Sequence, residues 1–235
     1  MKPLFVLAGG FGTRLRSVVS DVPKPLAPAG GKPFLVHLIR NWISQGIEEF
    51  IFLLHYEADQ IISCLSSLNK QDAFKKVRFS FIKENVPLGT GGAILNAIQS
   101  FNLNDGFLVA NADTWLGGGI KHLDSINTPA LAAVKVKNNI RYGALELKEN
   151  KVVAFKEKSD SFVSGYINSG LYHLLPRVFD EYEPGSYFSL EDDLFPQLAI
   201  NEDLNVVKLQ ENFIDIGIPI DYKKFCKWVE KHNEF

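Results

Sequence analysis

The chain has 235 residues, 46% of them hydrophobic, enough for one large domain with a sizeable buried core. Its 25 basic and 27 acidic residues leave a net charge of −2, which argues against broad electrostatic binding to DNA, RNA or an anionic membrane surface. Two cysteines, Cys64 and Cys226, show no C-x-x-C spacing and have no nearby histidine, so neither a disulfide scaffold nor a zinc site is expected.

The N-terminal apolar run from Leu4 to Ala8 is too short for a signal-peptide core, and nothing later approaches a membrane span. The expected setting is the reducing cytoplasm. Leu4 to Ala8 reads instead as a buried strand feeding the Gly9-Gly10 loop. Pro33 to Gln45 reads as a helix, with proline in its first turn and Gly46 at its end. Phe50 to Leu54 is the next strand, Ala58 to Leu68 a helix, and Val77 to Ile82 a strand. Gly91 to Phe101 is a helix behind a glycine-rich turn, and Phe107 to Ala110 a fourth strand. This alternation predicts an α/β fold, a Rossmann-like, mostly parallel sheet flanked by helices, with ligands beyond the carboxyl ends of its strands.

The second half is richer in strands: Ala130 to Val136, Ala144 to Leu147, Val152 to Lys156 and Tyr166 to Leu174. A helix begins near Ser189, where Ser189 and Asp192 have capping-box spacing. Short apolar runs follow at Val206 to Leu209 and Phe213 to Ile216. A last helix from Ile220 to about Lys231 carries Tyr222, Phe225, Trp228 and Val229. No linker or fixed-period repeat interrupts the chain, so residues 1–235 are read as a single domain. Within it, residues 1–115 form a first part of alternating strands and helices and 116–235 a second, strand-rich part. No appended repeat domain is expected. Phe225 and Trp228 suit either packing within the domain or pairing in a homodimer. The cysteines fall on helices as buried or semi-buried residues. The five histidines show no ligand spacing and read as surface or capping residues.

The most informative stretch is Leu7-Ala8-Gly9-Gly10-Phe11-Gly12-Thr13-Arg14-Leu15, followed by Pro23-Lys24-Pro25-Leu26. Glycines directly after a strand let the backbone turn sharply and bring several N–H groups to one anion. Arg14 adds a planar fork for phosphate oxygens, and Lys24 a point charge between stiffening prolines. A dinucleotide fingerprint fails because Leu15 stands where its third glycine belongs. A P-loop fails because Pro33 follows Gly31-Lys32. A plain turn explains the glycines but not the two cations.

These two motifs resemble the signature of the sugar-1-phosphate nucleotidyltransferases, G-G-x-G-T-R-L with a downstream P-K-P. The resemblance continues through Pro87-Leu88-Gly89-Thr90-Gly91-Gly92-Ala93, Asn111-Ala112-Asp113, Tyr142-Gly143, Glu157-Lys158, Asn168-Ser169-Gly170-Leu171-Tyr172 and Asp215-Ile216-Gly217. Within that family the chain is most similar to the D-glycero-D-manno-heptose 1-phosphate guanylyltransferases, through Arg14 to Val19, Lys32-Pro33-Phe34-Leu35 and Phe213 to Pro219. Mannose-1-phosphate guanylyltransferases and uridylyltransferases acting on amino-sugar 1-phosphates share several of these pieces.

The resemblance implies an enzyme that joins a nucleoside triphosphate to a sugar 1-phosphate and releases pyrophosphate, for surface polysaccharide synthesis. Arg14 and Lys24 are its expected catalytic residues. Leu7, Ala8, Gly9, Gly10, Gly12, Thr13, Glu84, Pro87, Gly89 and Thr90 are expected to bind the nucleotide. Asn111, Gly143, Glu157, Lys158 and Asn168 are expected to bind the sugar phosphate. Asp113 and Asp215, each readable alone as a turn aspartate, become the expected ligands of Mg²⁺, which favours one or two carboxylates plus phosphate oxygens.

Glu84 would face the base. A carboxylate accepts two hydrogen bonds and so suits the paired donors of guanine, whereas an amide would match uracil or thymine better. The same position also suits a solvated loop charge. Other readings stay open: another sugar or alditol phosphate with UTP or CTP, a non-catalytic nucleotide-sugar sensor, and, more remotely, a nicotinamide-dependent oxidoreductase.

Overall fold

The computed structural model describes residues 2–156 and 164–232. In chain order the strands are β1 (Leu4–Leu7), β2 (Pro28–Ala29), β3 (Lys32–Pro33), β4 (Glu49–Leu54), β5 (Arg78–Lys83), β6 (Phe107–Asn111), β7 (Thr114–Leu116), β8 (Ala130–Val136), β9 (Ala144–Lys148), β10 (Lys151–Lys156), β11 (Gly165–Leu174), β12 (Asn205–Leu209) and β13 (Phe213–Asp215). The helices are α1 (Phe34–Ser44), α2 (Ala58–Leu68), α3 (Gly89–Ser100), α4 (Ile120–Asp124), α5 (Phe195–Ile200) and α6 (Pro219–Lys231). The chain divides into two units. Residues 1–86, 111–118 and 212–235 make the first, and 87–110 and 119–211 the second.

In the first unit β5, β4 and β1 lie side by side and parallel, with Leu7 opposite Leu53 and Leu54 opposite Lys83. Parallel strands covered on both faces read as continuous apolar runs, and Leu4, Phe5, Val6, Phe50 and Phe52 are all completely buried. Helix α1 starts at Phe34, one residue after the expected proline, because Pro33 has extended backbone and the Phe34 amide donates to the Ala27 carbonyl at 2.9 Å. It ends as anticipated at Gly46, whose positive φ of 102° permits the turn in which the Ile47 amide reaches back to Trp42 at 3.1 Å. A small ladder of β2 with β3 turns through Gly30 and Gly31, both at positive φ, as a tight hairpin requires. Helix α6 packs beneath it: Tyr222 donates its hydroxyl to the Pro28 carbonyl, and the completely buried Phe225 meets Phe34 at a ring-centroid distance of 4.6 Å.

In the second unit the strand order is β6-β11-β8-β12-β10-β9. The β8–β12 pair is parallel, whereas β11 runs antiparallel to β6 and to β8, and β10 antiparallel to β9 and β12. The expected strand-rich second half is present. Helix α3 begins at Gly89 rather than Gly91, because the carbonyl of Phe188 accepts from the amides of Gly91 and Gly92 at 3.0 and 3.3 Å and so caps an earlier first turn. The expected cap at Ser189 is real but altered. The Ser189 hydroxyl accepts from the amides of Glu191 and Asp192, while its own amide donates to Asp193 at 2.7 Å rather than to Asp192. The turn it opens, Leu190–Leu194, is a wide π-turn, so the reciprocal partner falls one residue later.

Two histidines depart from the surface reading. His37 and His173 are 2% and 4% exposed. Each donates a ring N–H to a main-chain carbonyl, His37 to Ala29 and His173 to Leu123, which makes a neutral imidazole acceptable in a core.

Candidate active site

The first unit presents the carboxyl ends of its three parallel strands in a row. After β1 come Ala8, Gly9 and Gly10; after β4, His55 and Tyr56; after β5, Glu84. The Ala8 amide donates to the Leu53 carbonyl at 3.0 Å, the Glu84 amide to Leu54 at 2.8 Å, and the Tyr56 amide to Gly9 at 3.3 Å. His55 donates from Nδ1 to the Glu84 carbonyl at 3.1 Å, so the loop carrying Glu84 is tied to the strand beside it. Gly9 is obliged to be small, since a Cβ there would lie 3.2 Å from the His55 nitrogen.

The glycine-rich loop then turns through Gly12 at a φ of +60° and enters a short 3-10 turn, Thr13–Leu15. Leu15 is buried and anchors the turn, while Thr13 and Arg14 point out exposed. Phe11 lies edge-on to His55 and tilted against Tyr56, and the Arg16 guanidinium covers the Tyr56 ring at 4.9 Å. Residues 8 to 16 are therefore a loop braced by its flanks, with Gly10, Thr13 and Arg14 exposed, while the amides of Ala8, Leu15 and Arg16 donate to carbonyls of the protein.

Lys24 follows in a second short turn between the buried Pro23 and Pro25. A Cβ on Gly12 would stand 2.9 Å from the Lys24 Cβ, so the glycine loop approaches the P-K-P segment at a position where a side chain would collide. Lys24 Nζ, with a side chain only 10% exposed, donates to Asp113 Oδ2 at 2.5 Å and lies 3.9 Å from Asp215 Oδ1. Asp113 also accepts from the Thr114 hydroxyl at 3.1 Å, and Asp215 from the Gly217 amide at 2.7 Å. Desolvation alone would push the Asp113 carboxyl up. The Lys24 charge and the hydrogen bonds from Lys24 and Thr114 outweigh it and hold the group below the ordinary carboxylate value.

The two aspartates meet through an antiparallel ribbon. Strand β13 pairs with β7 so that Asp215 faces Thr114, and the Ile216 amide donates to the Asp113 carbonyl at 3.0 Å. The structure thus brings Lys24, Asp113 and Asp215 together. The donor set fits Mg²⁺: two carboxylates already converge on one cationic group, and a hard divalent ion is satisfied by such a pair plus phosphate oxygens and water. Asn111, two residues before Asp113, has a buried Oδ1 without a hydrogen-bond partner among the described residues.

The other expected residues lie in the second unit. Pro87 is exposed and Gly89, at a φ of +74°, opens α3 against the Phe188 main chain. The Thr90 hydroxyl is already used twice, accepting from the Leu190 amide at 2.8 Å and donating to Glu191 Oε2 at 2.8 Å. Gly143 is exposed, and a Cβ there would sit 2.9 Å from the Lys156 carbonyl, so its smallness also serves the approach of β10. Asn168 donates from Nδ2 to the Tyr172 hydroxyl at 2.9 Å. Glu157 and Lys158 lie outside the described residues.

Three residues that the sequence reading did not single out touch the expected ones or their loop: His55 bonds the Glu84 carbonyl, Tyr56 packs on Phe11, and Glu191 accepts from Thr90. His55 and Tyr56 directly follow an apolar strand, the place where a parallel sheet exposes its ligand edge, which was the available signal. Glu191 carried none beyond its nearness to the Ser189 cap.

Among proteins similar to this chain is the D-glycero-alpha-D-manno-heptose 1-phosphate guanylyltransferase of Campylobacter jejuni, 33% identical over 226 residues that cover 94% of this chain and 96% of that protein. A probable mannose-1-phosphate guanylyltransferase 2 of Arabidopsis thaliana is also 33% identical, but this chain spans only 63% of its length. The crystal structure of HddC from Yersinia pseudotuberculosis complexed with GMP-PN is 37% identical and superposes with a TM-score of 0.84, covering 97% of this chain and 99% of that one. The likeness bears out the α/β nucleotide-diphospho-sugar transferase fold. The Nucleotidyl transferase family matches residues 4–231, from the first strand to the last helix, and this chain belongs to that family.

Proposed function

We propose that this protein transfers a nucleotidyl group from GTP to D-glycero-D-manno-heptose 1-phosphate, yielding a GDP-sugar and pyrophosphate. The observation that carries the reading is the Lys24–Asp113–Asp215 cluster packed against Gly12 of an outward-facing glycine loop. That arrangement sets cation-binding carboxylates and a low-exposure ammonium beside a set of main-chain donors, as chemistry between two polyanions requires. The GMP-PN complex of HddC and the heptose-specific Campylobacter relative support guanine and heptose. Mannose 1-phosphate is the second reading, supported by the Arabidopsis relative; the near-complete coverage of the Campylobacter protein favours heptose.

In this reading the loop amides of Gly9, Gly10 and Gly12, with Arg14, grip the triphosphate, and Glu84 accepts from the guanine edge. Lys24, little exposed, offers a positive charge that solvent screens weakly. Asp113 and Asp215 would hold Mg²⁺, which supplies charge neutralisation at the reacting phosphate. Asn111, Gly143, Glu157, Lys158 and Asn168 receive the sugar phosphate, whose oxygen attacks the α-phosphorus as pyrophosphate leaves in line. We read residues 1–235 as one nucleotidyltransferase domain working in the cytoplasm on precursors of surface polysaccharide, alone or as a homodimer. Among the described residues no helix is long and apolar enough to cross a membrane.

A pyrophosphate-release screen tests the proposal, pairing GTP, UTP, CTP and ATP with heptose, mannose, glucose and N-acetyl-amino-sugar 1-phosphates in the presence of Mg²⁺. The expected best pair is GTP with the heptose phosphate. Release with mannose 1-phosphate instead replaces the acceptor. No release with any pair removes the function.

A further inference from the structure

We infer that Glu191 is a positioning residue that sets which hydrogen-bonding groups Asn168 shows to the sugar. The inference rests on the reading above that Asn168 receives the sugar phosphate, and it adds a specificity determinant to that site.

The starting point is an irregularity in β11. Asn168 pairs with Ala133 of β8, but the next pairing is Tyr172 with Leu131, so four residues on one strand advance against two on the other. Gly170, at a φ of +75°, permits the bulge. In a regular strand side chains four residues apart are separated by about 13 Å. Here the Asn168 amide and the Tyr172 hydroxyl are 2.9 Å apart.

The proton order along this chain of groups is forced from one end. The Gly170 amide can only donate, and it donates to the Asn168 side chain at 2.9 Å, so the atom there is the carbonyl oxygen Oδ1. Nδ2 then faces the Tyr172 hydroxyl, which must accept. Its own proton goes to Glu191 Oε1, at 3.1 Å. The second oxygen, Oε2, accepts from the Thr90 and Ser189 hydroxyls at 2.8 and 3.1 Å, and both of those hydroxyls accept from main-chain amides. A carboxylate, which only accepts, satisfies all three hydroxyls at once. Among the described residues Asn168 keeps one amide hydrogen and one carbonyl lone pair for a ligand, in a fixed left-right order. A sugar hydroxyl pair is then read by which group must donate and which must accept.

Glutamine at this position is nearly isosteric yet breaks the order. Its NH₂ settles poorly beside Ser189, whose two lone pairs are taken by the Glu191 and Asp192 amides, and beside Thr90, whose proton would lose its acceptor, so it turns toward Tyr172. The Tyr172 hydroxyl then donates toward Asn168, and the Asn168 amide is pressed to flip against the Gly170 amide.

The test is steady-state pyrophosphate release by wild type, Glu191→Gln and Tyr172→Phe, varying the sugar 1-phosphate at saturating GTP and then GTP at saturating sugar phosphate. Thermal unfolding of each protein is followed alongside. Tyr172→Phe keeps the completely buried ring and its packing on Phe195, at a centroid distance of 4.9 Å, while cutting the relay. Glu191→Gln is expected to raise KM for the sugar phosphate by about tenfold, and Tyr172→Phe by about threefold, as for lost or mispaired hydrogen bonds. In Tyr172→Phe the KM for GTP stays within about twofold of wild type. A merely structural role would instead lower Tm and move both KM values together.

If Glu191→Gln does not fold, the Tyr172→Phe result decides. An active wild type whose sugar-phosphate KM does not change in the variants overturns this inference alone. A wild type inactive with every pair overturns the proposed function, and this inference with it.

Discussion

The main-chain amide of Ile216 donates to the carbonyl oxygen of Asp113 at 3.0 Å, and this one hydrogen bond closes the ribbon that seats Asp215 beside Asp113. Their meeting depends on the register of two short strands, and Lys24 fills the space their carboxylates face.

Removing one member of this cluster should slow turnover by orders of magnitude without unfolding the protein. Asp113→Asn leaves the little-exposed Lys24 ammonium with Asp215 at 3.9 Å as its remaining carboxylate, and removes one of the two carboxylates proposed to hold Mg²⁺. The expected loss in kcat is about 10²–10³-fold, the scale for removing one preorganised electrostatic contact. Pyrophosphate release at saturating substrates measures it, and a near-native rate would refute the assignment.

Gly217→Ala tests the same geometry from the side. The added Cβ would lie 2.8 Å from Asp215 Oδ1 and 3.2 Å from Lys24 Nζ, so the carboxylate must move. Small misplacements of reacting groups are costly, and a loss of about tenfold to a hundredfold in kcat is expected. Urea unfolding should change by no more than about 1 kcal/mol, because the displaced carboxylate can turn toward solvent.

Gly91→Ala separates helix propensity from packing. Alanine in a helix gains about 1 kcal/mol over glycine. Here the Cβ would run into the ring of Phe188, which stacks on Tyr182 at a centroid distance of 3.8 Å and has little room to retreat. Overpacking costs about 1–3 kcal/mol, so the net effect should be destabilising. A urea midpoint above that of wild type would show that the ring gives way freely.

His37 should make stability fall as the pH drops. Burial holds its pKa below the ordinary value; the hydrogen bond to Ala29 opposes this, and the charges of Lys32 and Arg40 reinforce it. The unfolded chain therefore takes up a proton first, below about pH 6.5, while the folded protein does not. The stabilisation of the neutral form is complete above that pH and is lost below it, by at most about 1.4 kcal/mol per pH unit. Urea titrations at pH 5, 6, 7 and 8 of wild type and His37→Gln measure it. Wild type should lose stability on acidification more steeply than the variant, and parallel curves would remove His37 as the cause.

Local chemistry made much of this protein legible from its sequence. Apolar runs of four to six residues marked the parallel strands, the first of them ending in glycine. Helical spacing of apolar residues marked α1, and the glycine loop with Arg14 and Lys24 marked a candidate anion site, because each signal sits within a short stretch of sequence. Contacts between distant segments were decided only by tertiary structure. The pairing of β7 with β13 joins Asp113 to Asp215, and the bulge at Gly170 turns Asn168 onto Tyr172 and so onto Glu191. His55 reaches the Glu84 loop from a neighbouring strand, and in the core His37 and His173 each give one ring N–H to a carbonyl from another segment. Strand register and buried hydrogen bonds depend on which partner arrives, and no single stretch of sequence carries its partner's identity.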